Sequence, residues 1–472
     1  MNAHPLALVP ELCLLLGAVV TLLAGSFLPR TRQWIARLIA VAALLASLAA
    51  AALAATGAGR TIYAHTYALD AATTTARMLV PVAALLVIGM ATARVAGDRR
   101  ETEFYVLVLL ASLGTVIIAG ASDLLLLAVG YLLASIPLYG LAGWGRDRRS
   151  AEAALKLYLL GALLGITMLA GISVLYGVGG ATDYDQLATD LHHAPRAAAA
   201  VAVVALLAGL LFKIGAVPAH FWVPDAVHGA TVPAGALLTT IPKIGGLIAT
   251  YRLLVAIPDH LVNWRLLIAV IAVASMTLGN FAAFTQTNPR RLLAYSTISQ
   301  VGYLLMAVAV AGRTPQALPA LLIYLVAYAV TNLGAFAVVA AEPMDRLEDY
   351  RGLARRRPAL AVALAVCLLG LVGTPPTAVF VGKLTVFTAT WDGRMPWLVV
   401  IAAVNTVVSL YYYLRWLVAA FRTDGAATAA ALPPSAVRRA VTAVAAIAAT
   451  AALLAGVAAG PIYDTIAGTL TR

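Results

Sequence analysis

The feature that most constrains this chain is a succession of fourteen apolar runs, each close to the roughly 20 residues that carry an α-helix across a bilayer. They lie near 6–28, 34–55, 76–96, 104–121, 123–144, 151–177, 197–219, 229–254, 263–285, 290–312, 316–341, 357–391, 395–420 and 438–462. Charged residues make up 11% of the chain, against about 25% in soluble globular domains. The reading is an all-α polytopic membrane protein, with residues 1–472 forming a single transmembrane domain surrounded by lipid. The net charge of +12 comes mainly from arginines in short clusters between apolar runs. That is the pattern of cytoplasmic loops rather than of a nucleic-acid surface, so no nucleic-acid partner is expected. Cys13 and Cys367 lie far apart inside apolar runs and have no metal-ligand spacing.

The first run follows MNAHP directly, and Arg30 and Arg32 come after it. This is the reverse of a cleavable signal peptide. Further on, one set of alternate loops carries Arg94, Arg99 and Arg100, then Arg146, Arg148 and Arg149, then Arg290 and Arg291, then the cluster from Arg346 to Arg357, then Arg422, Arg438 and Arg439. The opposite loops hold mostly single arginines and the acidic stretch TDYDQLATD. With an even number of spans, the positive-inside rule places both termini outside.

Two spans are interrupted. The seventh carries KIGAVPAH and the twelfth GLVGTPPTAVFVGK. Glycine and proline together break a helix, and unwound backbone inside a membrane is tolerated where it lines a cavity. Breaks at corresponding places point to two inverted five-helix repeats, approximately 104–254 and 263–420, with an ion path at the breaks. The alternative is a pair of proline-kinked helices that simply pack well.

Of 32 basic residues, 28 are arginine and only four are lysine: Lys156, Lys213, Lys243 and Lys383. All four fall inside apolar runs. A cation at the centre of a membrane helix costs roughly 2.5 kcal/mol or more and ordinarily marks a pathway. Arginine stays protonated, whereas lysine releases its proton readily when buried. A row of buried lysines joined by water is therefore a proton path in outline. Lys156 lies near the end of its span, where snorkelling is the bland reading, and Glu152 stands four residues before it on the same helical face. His220, just past the first break, reads equally as a proton relay or as a structural histidine. Dinucleotide, phosphate-loop, CxxC and nucleophile-elbow signatures are absent.

The stretches FKIGAVPAHFWVPDAVHGA, NPRRLLAYSTISQVGYLL, LEDYRGLARRRP and GLVGTPPTAVFVGK, with the early LVPELCLLLGA, run in order along essentially the whole chain. In these the chain resembles the subunit N family of bacterial proton-translocating NADH-quinone oxidoreductases (respiratory complex I), relatives of subunits L and M and of Mrp-type sodium/proton antiporters. The resemblance implies fourteen helices with two inverted five-helix repeats and broken helices 7 and 12, in the cell membrane of a bacterium. It implies that Lys213, Lys243, Lys383 and Lys156 belong to the proton path. It also implies that the chain itself holds no cofactor: NADH, FMN, Fe-S clusters and quinone belong to other subunits, and the partners are the remaining subunits of the membrane arm.

The chain departs from that pattern in three places. Leu132 stands where the family has a fifth-helix glutamate that pairs with the seventh-helix lysine, Gln300 where subunit N usually has histidine, and His228 where an acid is common. Two readings follow for the missing glutamate. Glu152 or a neighbouring subunit's carboxylate replaces it, or the chain is a divergent paralogue with a mainly structural role. A free-standing cation/proton antiporter of the Mrp type is the third.

Overall fold

The computed structural model describes residues 5–55, 59–422 and 435–466, with 468, 470 and 471. Residues 1–4, on which the reading of the extreme N-terminus rests, lie outside them. In order, the spans are Val9–Phe27, Trp34–Ala54, Ala71–Val95, Glu101–Gly120, Leu124–Ala142, Arg148–Gly179, a seventh in two pieces (Arg196–Ile214 and Trp222–Gly229), and Val232–Ala256. Then come Trp264–Phe284, Pro289–Ala309, Ala317–Ala341, a twelfth in two pieces (Pro358–Val372 and Ala378–Asp392), Pro396–Phe421 and Ser435–Val457. Thirteen helices among the described residues are long and apolar enough to cross a membrane, and the broken twelfth completes fourteen.

Helix starts follow local chemistry. Asp123 caps the fifth span by accepting from the amides of Leu125 (2.7 Å) and Leu126 (2.9 Å), and Asn288 does the same for Arg290 and Arg291 at the tenth. Such caps satisfy first-turn donors that no helix can satisfy itself. Two details were not expected from the sequence. A small antiparallel hairpin, Arg60–Ile62 with Tyr67–Leu69, joins the second and third spans. The seventh span extends past residue 219, because the chain re-enters a helix at Trp222.

Spans four to eight and nine to thirteen each have their broken helix in fourth place. A unit of five spans ends on the side opposite to where it began, so a following copy starts inverted. Within each unit the helices approach closely at glycine, as membrane helices do in the absence of a hydrophobic drive to associate. A methyl on Gly171 of the sixth span would lie 2.6 Å from the Leu206 amide nitrogen of the seventh, and one on Gly279 of the ninth would lie 2.6 Å from that of Ser299 on the tenth. Backbone cannot yield as a side chain can. Gly171→Val is expected to lower stability by about 1–3 kcal/mol, read as a lower unfolding midpoint in detergent; an unchanged midpoint would contradict this packing.

The breaks owe their form to glycines that accept left-handed backbone. Gly215 (φ 73°) ends the first half of the seventh span and Gly373 (φ 89°) that of the twelfth, a region closed to most residues with a Cβ. The carbonyls freed at each break are taken by side chains. Trp222 Nε1 donates to Phe212 O at 3.0 Å, Gln300 Nε2 to Leu371 O at 2.7 Å, and Lys383 Nζ to Val372 O at 2.9 Å. This is how non-helical backbone persists at membrane depth.

Candidate functional site: a polar row between two helix breaks

Three of the four lysines are buried deep in the bundle: Lys213 is 3% exposed, Lys243 0% and Lys383 4%. Each sits beside a break. Lys213 occupies the last turn of the first half of the seventh span. It lies above the eighth, where a methyl on Gly246 would lie 3.2 Å from its Cγ. Lys243 points back at the same break, its ammonium 3.8 Å from where a methyl on Gly215 would be. It donates to Leu238 O at 3.4 Å and lies 5.6 Å from the Trp222 ring centroid. Lys383 lies across Gly373, 4.1 Å from the Tyr303 ring centroid and 3.4 Å from Thr406 Oγ1. Carbonyls at the end of a half-helix are the negative end of its dipole, so the Val372 carbonyl is a favourable seat for a cation.

Lys213 has no carboxylate within ion-pairing distance among the described residues. Its ammonium donates to Ser135 Oγ and, at 3.3 Å, to Tyr131 O, and it stands 4.4 Å from the Tyr131 ring centroid. Ser135 in turn donates to Tyr131 O at 2.6 Å. A hydroxyl, a carbonyl and an aromatic face thus surround this cation. Leu132 is 44% exposed and shares an outward stripe of the fifth span with Leu125, Val129 and Ile136, spaced as one helical face.

Between the breaks the row continues through uncharged groups. Thr239 lies one turn from Lys243, and Asn332 donates to Thr239 Oγ1 (3.0 Å) and Thr240 Oγ1 (2.9 Å). The Tyr328 hydroxyl lies 2.8 Å from Thr239 O and 3.1 Å from Thr297 Oγ1. Tyr324 donates to Gln300 Oε1 at 2.5 Å, and Gln300 reaches the twelfth-span break. Thr406 and the Tyr303 hydroxyl, 3.2 Å apart, meet Lys383 beyond it. Thr297, Gln300 and Tyr303 are three residues apart, and Tyr324, Tyr328 and Asn332 four apart, so each set lines one face of its helix.

The other sequence candidates lie elsewhere. Lys156 is 43% exposed at the side chain and pairs with Glu152 at 2.7 Å, so Glu152 is engaged there and not at Lys213. Lys156 also pairs with Asp225 at 2.7 Å, and Asp225 with Arg291 at 2.9 Å. These bonds tie the sixth span to the second half of the seventh and to the start of the tenth. His220 is buried in the break, its ring against Phe221 and its Nδ1 without a hydrogen-bond partner among the described residues. His228 lines a cavity at the arginine-rich end of the bundle. Sequence reasoning missed Asp225, although an acid within FWVPDAVHG was a visible signal. It also missed Tyr131, Ser135 and the tyrosine-threonine-asparagine row, which carries no charge and so no comparable signal. Among the described residues, no group of three or more His, Cys, Asp or Glu is placed to hold a metal.

A two-repeat membrane bundle with a broken helix in each repeat and lysines at the breaks defines an antiporter-like membrane subunit. The family model for the membrane part of NADH:quinone oxidoreductases and Mrp antiporters matches residues 121–409, more than half of the chain. A protein of Streptomyces griseus subsp. griseus named NADH-quinone oxidoreductase subunit N 1 is 56% identical over 467 residues, covering 99% of this chain and 98% of its own. A chain of respiratory complex I from Thermus thermophilus, solved with bound aureothin, superposes with a TM-score of 0.82 at 32% identity, covering 98% of this chain and all of that one. A chain of the Mrp complex from Dietzia sp. shares the fold, with a TM-score of 0.85 at 24% identity over 98% of this chain and 96% of its own. The protein belongs to the subunit N family of NADH-quinone oxidoreductases.

Proposed function

We propose that this chain is a membrane-arm subunit of a proton-translocating NADH-quinone oxidoreductase and carries protons along the row from Lys213 through Lys243 to Lys383. The observation that carries the reading is the coincidence of three buried lysines with the two helix breaks, in a chain whose other cations are almost all arginine. Lysine exchanges its proton where arginine does not. The hydroxyls and amides of Thr239, Asn332, Tyr328, Tyr324 and Gln300 order the water that joins the lysines. Lys156, with Glu152 and Asp225, holds the second half of the seventh span in place at one end, and His220 relays protons at the break. Quinone and NADH chemistry belongs to the other subunits of the complex, reached through the neighbouring membrane subunits. The arginine-rich end faces the cytoplasm and both termini lie outside.

The second reading, a subunit that completes the arm but conducts weakly, draws on one observation: no described carboxylate contacts Lys213. The test is proton uptake per electron in vesicles carrying wild type, Lys213→Ala or Leu132→Glu. Lys213→Ala is expected to lower the ratio with assembly intact. An unchanged ratio and turnover would refute the conducting role. If the chain works as an antiporter when purified alone, it is not a subunit of this complex but an antiporter of the Mrp kind.

A further inference from the structure

At the arginine-rich end, a cavity of about 440 Å³ opens between the third, sixth, eighth and tenth spans and the segment after the eleventh. Three guanidinium groups line it: Arg94 from the end of the third span, Arg149 from the first turn of the sixth, and Arg290 from the first turn of the tenth. Two carboxylates also line it, Asp147 and Asp345, and Asp147 also interacts with the Arg149 charge. Asp147 caps the sixth span, accepting from the Ser150 amide at 2.7 Å and the Ser150 hydroxyl at 2.9 Å. Asp345 reaches Arg290 only at 3.5 Å, and it is largely exposed. Arg94 and Arg149 are not within ion-pairing distance of any described carboxylate. Three cations crowded on one cavity repel each other unless an anion joins them.

The floor of the cavity adds a second, independent observation. It is the N-terminus of the eighth span, a helix of 25 residues, which is a partial positive charge with amides directed outward. Thr231 stands at the N-cap but makes no capping bond; its hydroxyl is buried, with no hydrogen-bond partner among the described residues. A threonine there ordinarily accepts from the second or third amide of the helix. The second residue is Pro233, which has none.

We propose that this cavity binds a phosphate-bearing anion, with Arg94, Arg149 and Arg290 around the phosphoryl oxygens at the amino end of the eighth span. The volume exceeds what inorganic phosphate fills and lies within the range of small-ligand sites, so the anion carries a substituent. That chemistry belongs equally to a phospholipid headgroup and to a soluble phosphate compound. Bound there, it links Arg149 of the first five-helix unit to Arg290 of the second.

The test uses the assembled complex in nanodiscs, wild type beside an Arg94→Gln/Arg149→Gln double variant and Arg149→Lys. The unfolding midpoint is followed with inorganic phosphate against chloride at equal ionic strength, in discs of phosphatidylcholine alone or with added phosphatidylglycerol. Native mass spectrometry reads retained lipid. A ligand that binds only the folded state raises the midpoint. The wild type is expected to be stabilised by at least one probe. The double variant should match it without anion yet need on the order of tenfold more anion for the same shift, with Arg149→Lys between the two. A shift with phosphate in phosphatidylcholine discs identifies a soluble ligand. A shift only with phosphatidylglycerol, with that lipid retained by the wild type and lost from the variant, identifies a headgroup. Equal shifts in wild type and double variant, or no shift with either probe, overturn the proposal. So does a double variant already unfolded without anion, because that would make the arginines structural.

Discussion

Replacing Lys243 with alanine and replacing it with arginine are expected to have the same result: proton transfer through this chain slows by on the order of 10²-fold or more, while the complex still assembles. Lys243 is fully buried, and its ammonium donates to the Leu238 carbonyl at 3.4 Å and lies 5.6 Å from the Trp222 ring centroid. Alanine removes the titrating group. Arginine keeps a cation at the same depth but does not give up its proton. If the row works by protonation and release, charge alone does not rescue it. The measurement is proton uptake per electron in vesicles, with the assembled complex checked on native gels. An arginine variant that pumps like wild type would show that a fixed charge suffices and would remove Lys243 from the path.

The second large effect concerns stability. Asp70 and Arg252 are both buried and form a two-pronged pair, Oδ2 to Nη1 at 2.8 Å and Oδ1 to Nη2 at 2.9 Å. Asp70 also accepts from the amides of Thr73 at 3.0 Å and Thr471 at 3.1 Å, and Arg252 donates to Ala119 O and Thr471 O. The pair thus joins the start of the third span, the eighth span, the end of the fourth and the last described residue. Asp70→Ala leaves a buried guanidinium without its counter-charge and is expected to lower stability by about 3–5 kcal/mol. Asp70→Ala with Arg252→Met should recover most of that loss, since removing both charges leaves neither stranded. Chemical unfolding in detergent distinguishes the outcomes, and a double variant no better than the single would show that the pair is not what Asp70 contributes.

The same pair gives a pH dependence. Burial raises the Asp70 carboxyl, but Arg252 and the two amides outweigh it and hold it below the ordinary carboxylate range. A carboxylate lowered in the folded state contributes stability that is complete above its unfolded value, about 3.9, and is lost as pH falls through the lower folded value. The gap between wild type and Asp70→Ala should therefore be full at neutral pH and close only in strong acid.

Much of this architecture was legible beforehand, for identifiable reasons. Bilayer thickness sets the length of a span, so fourteen apolar runs meant fourteen crossings. Glycine and proline break helices whatever surrounds them, so both interrupted spans were visible. A lysine in hydrocarbon is conspicuous, and a chain that otherwise uses arginine made four of them more so. The partners of those lysines were less legible. The loss of the fifth-helix glutamate suggested that Lys213 loses its usual partner, with Glu152 or a neighbouring subunit's carboxylate as a replacement. In the structure, Ser135 and Tyr131 take Lys213, while Glu152 lies on Lys156.

The division has one physical cause. Along the sequence, hydrophobic pattern reports that a helix exists, where it stops and which residues are costly in lipid; hence the spans, the breaks, the lysines and the family resemblance came from the chain alone. A helix buried on every side is apolar nearly all round, so its pattern does not say which face meets which neighbour. The tenth and eleventh spans are of this kind. Only packing could decide that Thr297, Gln300 and Tyr303 face the eleventh span and the breaks, that Leu132 points outward, that Lys156 leaves the buried row for Asp225, and that three arginines from the ends of distant spans line one cavity at the start of the eighth.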